Sequence, residues 1–281
     1  MRVLDYEFMR RALLAAVLIG LAAPSVGVYL VQRRLSLIGD GLGHVALAGV
    51  AVGVLTSTAP VLTALVAAVV GAVAIELIRA RGRTSGDVAL AILFYGGIAA
   101  GVVIISQAPG GTPGNLNAYL FGAITTTTQS DLVVFALLTA VILVVTHGLG
   151  RYLFAVSLDE EYAIASGLPV LALNATLAVV TAVTVVVSMR VVGLLLVSAL
   201  MIVPVATAQL IAHSFRGTVV IATTIGTLAA LAGVTTSFHA DTPSGGTIVL
   251  LTIILFAFVS AAVALRDRRR RGTVSPASRV P

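Results

Sequence analysis

In the stretch "LSLIGDGLGHVALAG" (residues 35–49), Asp40 and His44 stand four positions apart in an otherwise apolar sequence. On a helix they lie about 40° apart around the axis and about 6 Å apart along it, so both side chains meet the same neighbour. A carboxylate near the centre of a membrane helix costs roughly 2.5–3.5 kcal/mol on the insertion scale, so it is rarely without a role. An anionic oxygen beside a neutral imidazole suits Zn²⁺, Mn²⁺ or Fe²⁺. Two donors alone fall short of a closed site. The spacing fits a structural Asp–His hydrogen bond or a helix-terminus cap as well as it fits an ion or proton pathway. Gly39, Gly41 and Gly43 weaken the helix here and let another backbone approach.

Two further constellations carry polar chemistry. In "SLDEEYAIASGLP" (157–169), Ser157 and Glu160 have capping-box spacing, and Asp159, Glu160 and Glu161 fill the first turn. Gly167 supplies a C′ stop, with Pro169 just beyond. The pattern predicts a short helix, too short to cross a bilayer and too acidic to enter one. It reads either as a linker or as a docking element for a cytoplasmic partner. In "SFHADTPSGG" (237–246), His239 and Asp241 fall on an external loop, as a cation-receiving pore mouth or as a solvated turn. Glu76 and Arg79 are spaced to pair at a helix end. His147 and His213 lie near the same surface as interfacial residues.

The elements that position these residues follow from composition. The 281 residues are 59% hydrophobic and only 10% charged, far below the roughly 25% with which a soluble domain covers its surface. Runs of about 20 apolar residues match a bilayer core of about 30 Å. The fold class is therefore an all-α, polytopic integral membrane protein. Nine spans are predicted, near 11–31, 37–55, 60–79, 87–107, 131–150, 170–188, 191–212, 218–236 and 247–265. Eight spans with the N-terminus inside is the competing arrangement. Tyr119 to Thr128 is too short to cross and reads as a partly inserted or re-entrant segment. The first run reads as a span rather than a cleavable leader. Residues 1–265 form the transmembrane domain and 266–281 a basic, disordered cytoplasmic tail.

Every basic residue is arginine, and the arginines flank apolar runs as topology signals do, which argues against nucleic acid as a partner. With nine spans, Arg33, Arg34, Arg79, Arg81, Arg83, Arg151, Arg216 and the "RDRRRR" run all share the cytoplasmic side, while Arg2, Arg10 and Arg11 do not. The absence of lysine excludes a phosphate-binding loop of the G-x-x-x-x-G-K-[ST] type, so the chain is no ATPase by that route. The absence of cysteine excludes disulfides and thiolate ligands, and with them a soft-ion site. No Ser-His-Asp, paired-carboxylate or dinucleotide signature is present.

At these residues the sequence resembles the membrane subunits of bacterial ABC importers for zinc, manganese and iron(II). The likeness runs through "RRALLAAVLIG", "GVYLVQRRLSLIGDGLGHVALAGVAVG", "YLFGAI", "DEEYAIASGLPV", "VGLLLVSALMIVPVATAQLIA" and "DTPSGGTIVLL". The family usually writes G-D-A-L-S-H where this chain has Gly41 and Gly43, so a serine hydroxyl beside the pair is missing. The resemblance implies a type II importer in the bacterial cytoplasmic membrane. Two copies of the permease would surround a pathway, cytosolic ABC ATPase subunits would drive it, and an extracytoplasmic metal-binding protein would supply it. It implies that Asp40 and His44 line the pathway; His239 and Asp241 stay candidates for the external mouth on their own residue types. It makes the 157–169 helix the ATPase-docking element, through Ser157, Asp159, Glu160, Glu161, Ala163 and Gly167. No cofactor is held permanently; Zn²⁺ or Mn²⁺ is the substrate, with the histidines favouring zinc. A siderophore- or cobalamin-type permease, a stand-alone secondary metal transporter using the pair as a proton relay, and a scaffold without a transported substrate are the alternatives.

Overall fold

The computed structural model describes residues 6–81, 86–107, 120–122, 128–189, 191–194 and 196–272. The described residues form eleven helices: α1 (Glu7–Gln32), α2 (Ile38–Leu55), α3 (Pro60–Ala80), α4 (Gly86–Ser106), α5 (Gln129–Gly148), α6 (Gly150–Leu158), α7 (Glu160–Ala165), α8 (Val170–Met189), α9 (Val197–Gln209), α10 (Phe215–Ala240) and α11 (Ser244–Gly272). Eight of them, all but α6, α7 and α9, are long and apolar enough to cross a bilayer. Large apolar side chains point outward, among them Val144 at 71% and Phe258 at 73% exposure. Lipid covers this outside, and α1, α2 and α8 supply most of the protein interior.

Ring contacts fix the direction of each crossing. Tyr6 and Phe8 pack on Phe238 at 5.7 and 6.1 Å, so α1 starts where α10 ends. Phe215 packs on Tyr29 at 5.4 Å and on Phe154 at 4.5 Å, so α10 starts beside the end of α1 and beside α6. α8 begins on this second face, where Asn174 meets Glu160 of α7. Its 20 residues rise about 30 Å, carrying Met189 toward the first face. The chain must therefore cross back between residues 190 and 214. It does so through Val191–Leu194 and Leu196, which are not helical, followed by the 13-residue α9. The predicted span 191–212 is thus a broken crossing. Added to the eight long helices it makes nine passes among the described residues, and the start of α1 and the end of α11 lie on opposite faces.

Non-helical backbone is tolerated at membrane depth only where protein buries it. Val191 and Val192 are fully buried. Ser244 donates its hydroxyl to the Val191 carbonyl at 2.8 Å. Gly193 adopts φ +87°, and a Cβ there would run into the backbone of Leu120 to Gly122. A Cβ on Gly245 would collide with the Val192 carbonyl. Two chain segments, Leu120–Gly122 and the start of α11, therefore close over the break. Of the segment predicted at 119–128, only Leu120–Gly122 and Thr128 are among the described residues, so its partial insertion lies mostly outside them.

The face that carries α7 also carries Arg33, Arg34, Arg79, Arg81, Arg151 and Arg216, and so is cytoplasmic. Arg10 and Arg11 lie opposite, and Arg11 is paired with Glu7 one turn earlier. At the other end α11 runs through "RDRRRR" to Gly272, where the sequence pattern predicts a disordered tail from residue 266. The run continues the helix because nothing in it breaks one before Gly272; residues 273–281 lie outside the described residues.

Replacing Gly245 with alanine forces backbone apart at the break and should cost about 1–3 kcal/mol, as overpacking does. Gly246→Ala meets open space and serves as the control. A lower thermal midpoint for Gly245→Ala alone, measured on detergent-purified protein, is the expected result.

Candidate metal pathway and docking helix

Asp40 lies in the first turn of α2 and His44 one turn further along, on the same side of the helix. α4 crosses α2 at this point. A Cβ on Gly97 would stand 2.7 Å from the His44 carbonyl carbon, so only glycine lets the two backbones come this close. The Phe94 ring meets the His44 imidazole edge-on, with centroids 4.5 Å apart. Gly97 is at the middle of α4, which places His44 near mid-depth. Asp40 lies one turn nearer the cytoplasm, where Gly41 faces Leu90.

The two side chains are half-buried and are not hydrogen-bonded to each other. His44 Nδ1 is buried without a hydrogen-bond partner, and α2 has no side-chain cap. The structural readings of the pair, an Asp–His hydrogen bond or a terminus cap, therefore have no support in the geometry. Among the described residues no three His, Asp or Glu side chains converge to form a complete metal site. Among the described residues one chain offers these two donors here.

His239 and Asp241 are elsewhere. Both are exposed at the outer end of α10. The helix runs further than the sequence pattern predicts, so His239 sits in its last turn, with Nδ1 on the Thr235 carbonyl at 2.8 Å. Asp241 caps the helix at φ +50°. Neither approaches Asp40 or His44, which are about half the membrane thickness away.

On the cytoplasmic face the 157–169 segment forms the short helix α7 as predicted, but with a different cap. Ser157 belongs to α6 and is buried, with its hydroxyl unpartnered. Asp159 is the N-cap instead, accepting the Tyr162 N–H at 2.9 Å. An α6 that continues to Leu158 leaves no room for Ser157 to serve as the cap. The C-terminal stop is as expected: Gly167 takes φ +75°, its N–H bonds the Ile164 carbonyl, and the Leu168 N–H bonds the Ala163 carbonyl. Ala163 is the inward anchor, fully buried. Tyr162, Ile164 and Leu158 turn outward at 68%, 60% and 62% exposure, and Glu161 is exposed with them.

Glu160 faces the protein. Arg33 donates to it at 3.2 Å and to Asn174 Oδ1 at 2.8 Å, and the Asn174 amide donates to Glu160 at 3.3 Å. The Arg33 side chain is only 6% exposed. Burial lowers its pKa from the ordinary value; Arg79 acts in the same sense and Glu160 opposes. Next to this cluster, Arg79 donates to Glu76 at 2.7 Å. The predicted pair forms, but Glu76 is buried rather than snorkelling. A cleft of about 550 Å³ separates the end of α3 from α7 and α8. Sequence reasoning took Arg33 only as a topology signal and passed over Asn174, since neither spacing nor composition links residues 141 positions apart.

Comparison with known proteins accounts for nearly the whole chain. The ABC 3 transport family matches residues 5–263. The manganese transport system membrane protein MntC of Halalkalibacterium halodurans is 30% identical over 274 residues, which is 96% of this chain and 94% of that one. A probable metal transport system membrane protein of Treponema pallidum is 33% identical over 260 residues, covering 92% and 96%. Among solved structures, PsaBC from Streptococcus pneumoniae in complex with Fab superposes with a TM-score of 0.81 at 29% identity, covering 92% of each chain.

Asp159→Ala should remove about 1 kcal/mol from α7 and raise hydrogen exchange at the Tyr162 amide about fivefold. Ser157→Ala, lacking any role in the cap, should leave that exchange unchanged.

Proposed function

The chain belongs to the ABC 3 transport family, and on that premise we propose that it is the membrane subunit of an ATP-driven importer of a divalent transition metal. The observation that carries the site is the pair itself: among the described residues, a carboxylate without a hydrogen bond and, one turn deeper near mid-depth, a buried imidazole nitrogen without a partner, where polar groups are costly. Manganese is the proposed substrate. Relatives across most of the chain are named for manganese, and an oxygen donor beside a single imidazole suits that ion. Zinc, which the histidine count favours, loses ground because His239 stands far from His44.

Two copies of the chain complete the site. A two-fold axis along the pathway would bring two Asp40 carboxylates and two His44 imidazoles around one ion, offsetting its charge. Conduction needs such a site to hold the ion loosely enough to release it. An extracytoplasmic metal-binding protein would load the outer face, where His239 and Asp241 are available as early contacts.

ATP hydrolysis is assigned to a cytosolic ABC ATPase that docks on α7. Its apolar, outward residues Tyr162 and Ile164 make the contact together with Leu158 at the end of α6, with Glu161 at the rim. Glu160 is the link inward: through Arg33 it ties α7 to the turn that leads into α2, seven residues before Asp40.

In reconstituted complex, Asp40→Asn and His44→Ala should each lower ATP-driven Mn²⁺ uptake at least about tenfold, the lower end of what even outer-shell changes cost a metal site. Wild-type uptake in both variants would remove the pair from the pathway. Ile164→Glu should prevent co-purification of the ATPase. Glu160→Gln should leave assembly intact while reducing the metal moved per ATP hydrolysed; unchanged stoichiometry would reduce the Arg33 contact to packing.

A further inference from the structure

A second cavity, mostly apolar but with two arginines in its lining, lies on the cytoplasmic face, away from both the metal pair and α7. It has a volume of about 650 Å³, within the usual range for small-molecule sites, and opens between α1, α5, α6 and α10. Its floor is closed by Tyr29, whose hydroxyl donates to the Thr146 carbonyl at 3.0 Å. Phe215 forms an aromatic wall with Tyr29 and Phe154.

Two arginines line this cavity, Arg151 in the first turn of α6 and Arg216 in the first turn of α10. Neither has an ion pair or hydrogen bond among the described residues. This sets them apart from Arg11, Arg33 and Arg79, each of which has a carboxylate partner. His147 also lines the cavity; its Nδ1 is bonded to the Leu143 carbonyl, leaving Nε2 available. No carboxylate lines the cavity. Two guanidiniums on one cavity without a counter-charge repel each other, and an anion relieves that repulsion.

The anion's chemistry follows from the rest of the lining. Val219 and Val220 of α10 continue the cavity along the membrane-facing side of the helix, and Val220 is 63% exposed. A ligand that fits has a charged group for the arginines and an apolar part for the valines and phenylalanines. Guanidinium recognises phosphate oxygens in a bidentate manner. Basic pockets between transmembrane helices on the cytoplasmic side suit phospholipid head groups. We propose that this cavity is a binding site for an anionic phospholipid of the inner leaflet, its phosphodiester between Arg151 and Arg216 and an acyl chain along Val219 and Val220. The site is independent of the metal pathway, and its occupancy does not depend on transport.

The test is lipid retention by the purified permease complex, read by native mass spectrometry in detergent after titration with phosphatidylglycerol or phosphatidylcholine. Tight, saturable retention of about one phosphatidylglycerol per permease copy, with at least fivefold preference over phosphatidylcholine, is expected. The double variant Arg151→Gln/Arg216→Gln should lose that preference, and Arg81→Gln, outside the cavity, should keep it. Val220→Trp, which fills the apolar limb without removing charge, should also weaken retention. Equal loss in Arg81→Gln would reduce the effect to general surface charge and overturn the site. Displacement of the lipid by millimolar inorganic phosphate alone would make it a free-anion site and overturn the lipid assignment. The chain has no native cysteine, so Val220→Cys is a unique probe; a disulfide between two copies would show that protein, not lipid, covers this face.

Discussion

A backbone amide or carbonyl inside a bilayer has no water to bond, and this requirement shapes the whole chain. Eight crossings meet it with uninterrupted helices. The ninth does not, because residues 191–194 and 196 leave the helix within the membrane. The break persists only because Leu120–Gly122 and the start of α11 enclose it, with the Ser244 hydroxyl on the Val191 carbonyl. The glycines there are small because backbone, not side chain, must fill the space. The packing of α8, α9 and α11 follows from that one closure.

The same scarcity of solvent explains the distribution of charge. On the cytoplasmic side each buried ion has a partner: Arg33 has Glu160 and Asn174, and Glu76 has Arg79. Removing Glu160 or Arg79 would leave Arg33 or Glu76 buried without its ion partner, which is costly. Asp40 and His44 break the pattern, lying deeper than these pairs and without a hydrogen bond among the described residues. Two half-buried polar groups left open while the buried ions are paired are what the proposed metal pathway rests on. That contrast singles the pair out more strongly than its mere presence in an apolar stretch.

Much of this was legible in the sequence, for physical reasons that also mark where legibility ended. Apolar runs of bilayer length gave the spans, and the i, i+4 spacing put Asp40 and His44 on one side of α2. Gly167 announced the end of α7 because its positive φ excludes most other residues. The cap was misplaced from Asp159 to Ser157 because both have the right chemistry, and only the length of α6 decides between them. The broken crossing was read as a full span because hydropathy measures composition and is blind to a backbone that stops being helical. The bonds from Arg33 to Glu160 and Asn174 were out of reach, since they join residues that are neighbours only after folding.

Those long-range bonds give the structure its mechanical logic. α7 has too few residues to be stable alone, and most of its stability must come from tertiary contact. Its contacts are of two kinds: the buried Ala163 and the Glu160 interaction with Arg33 and Asn174. A force applied to its outward apolar side therefore reaches α8 through Asn174 and the α1–α2 turn through Arg33. That turn is tight, with Arg34 at φ +59° and the Leu35 N–H bonded to the Leu30 carbonyl, so it transmits displacement rather than absorbing it. Asp40 follows within the first turn of the next helix, and His44 is held against α4 by the absence of a side chain at Gly97. In the proposed importer, work done on α7 would then shift Asp40 more than His44. Changing the separation of the two donors changes the fit to an ion, and that is the act a pathway needs in order to release what it has bound.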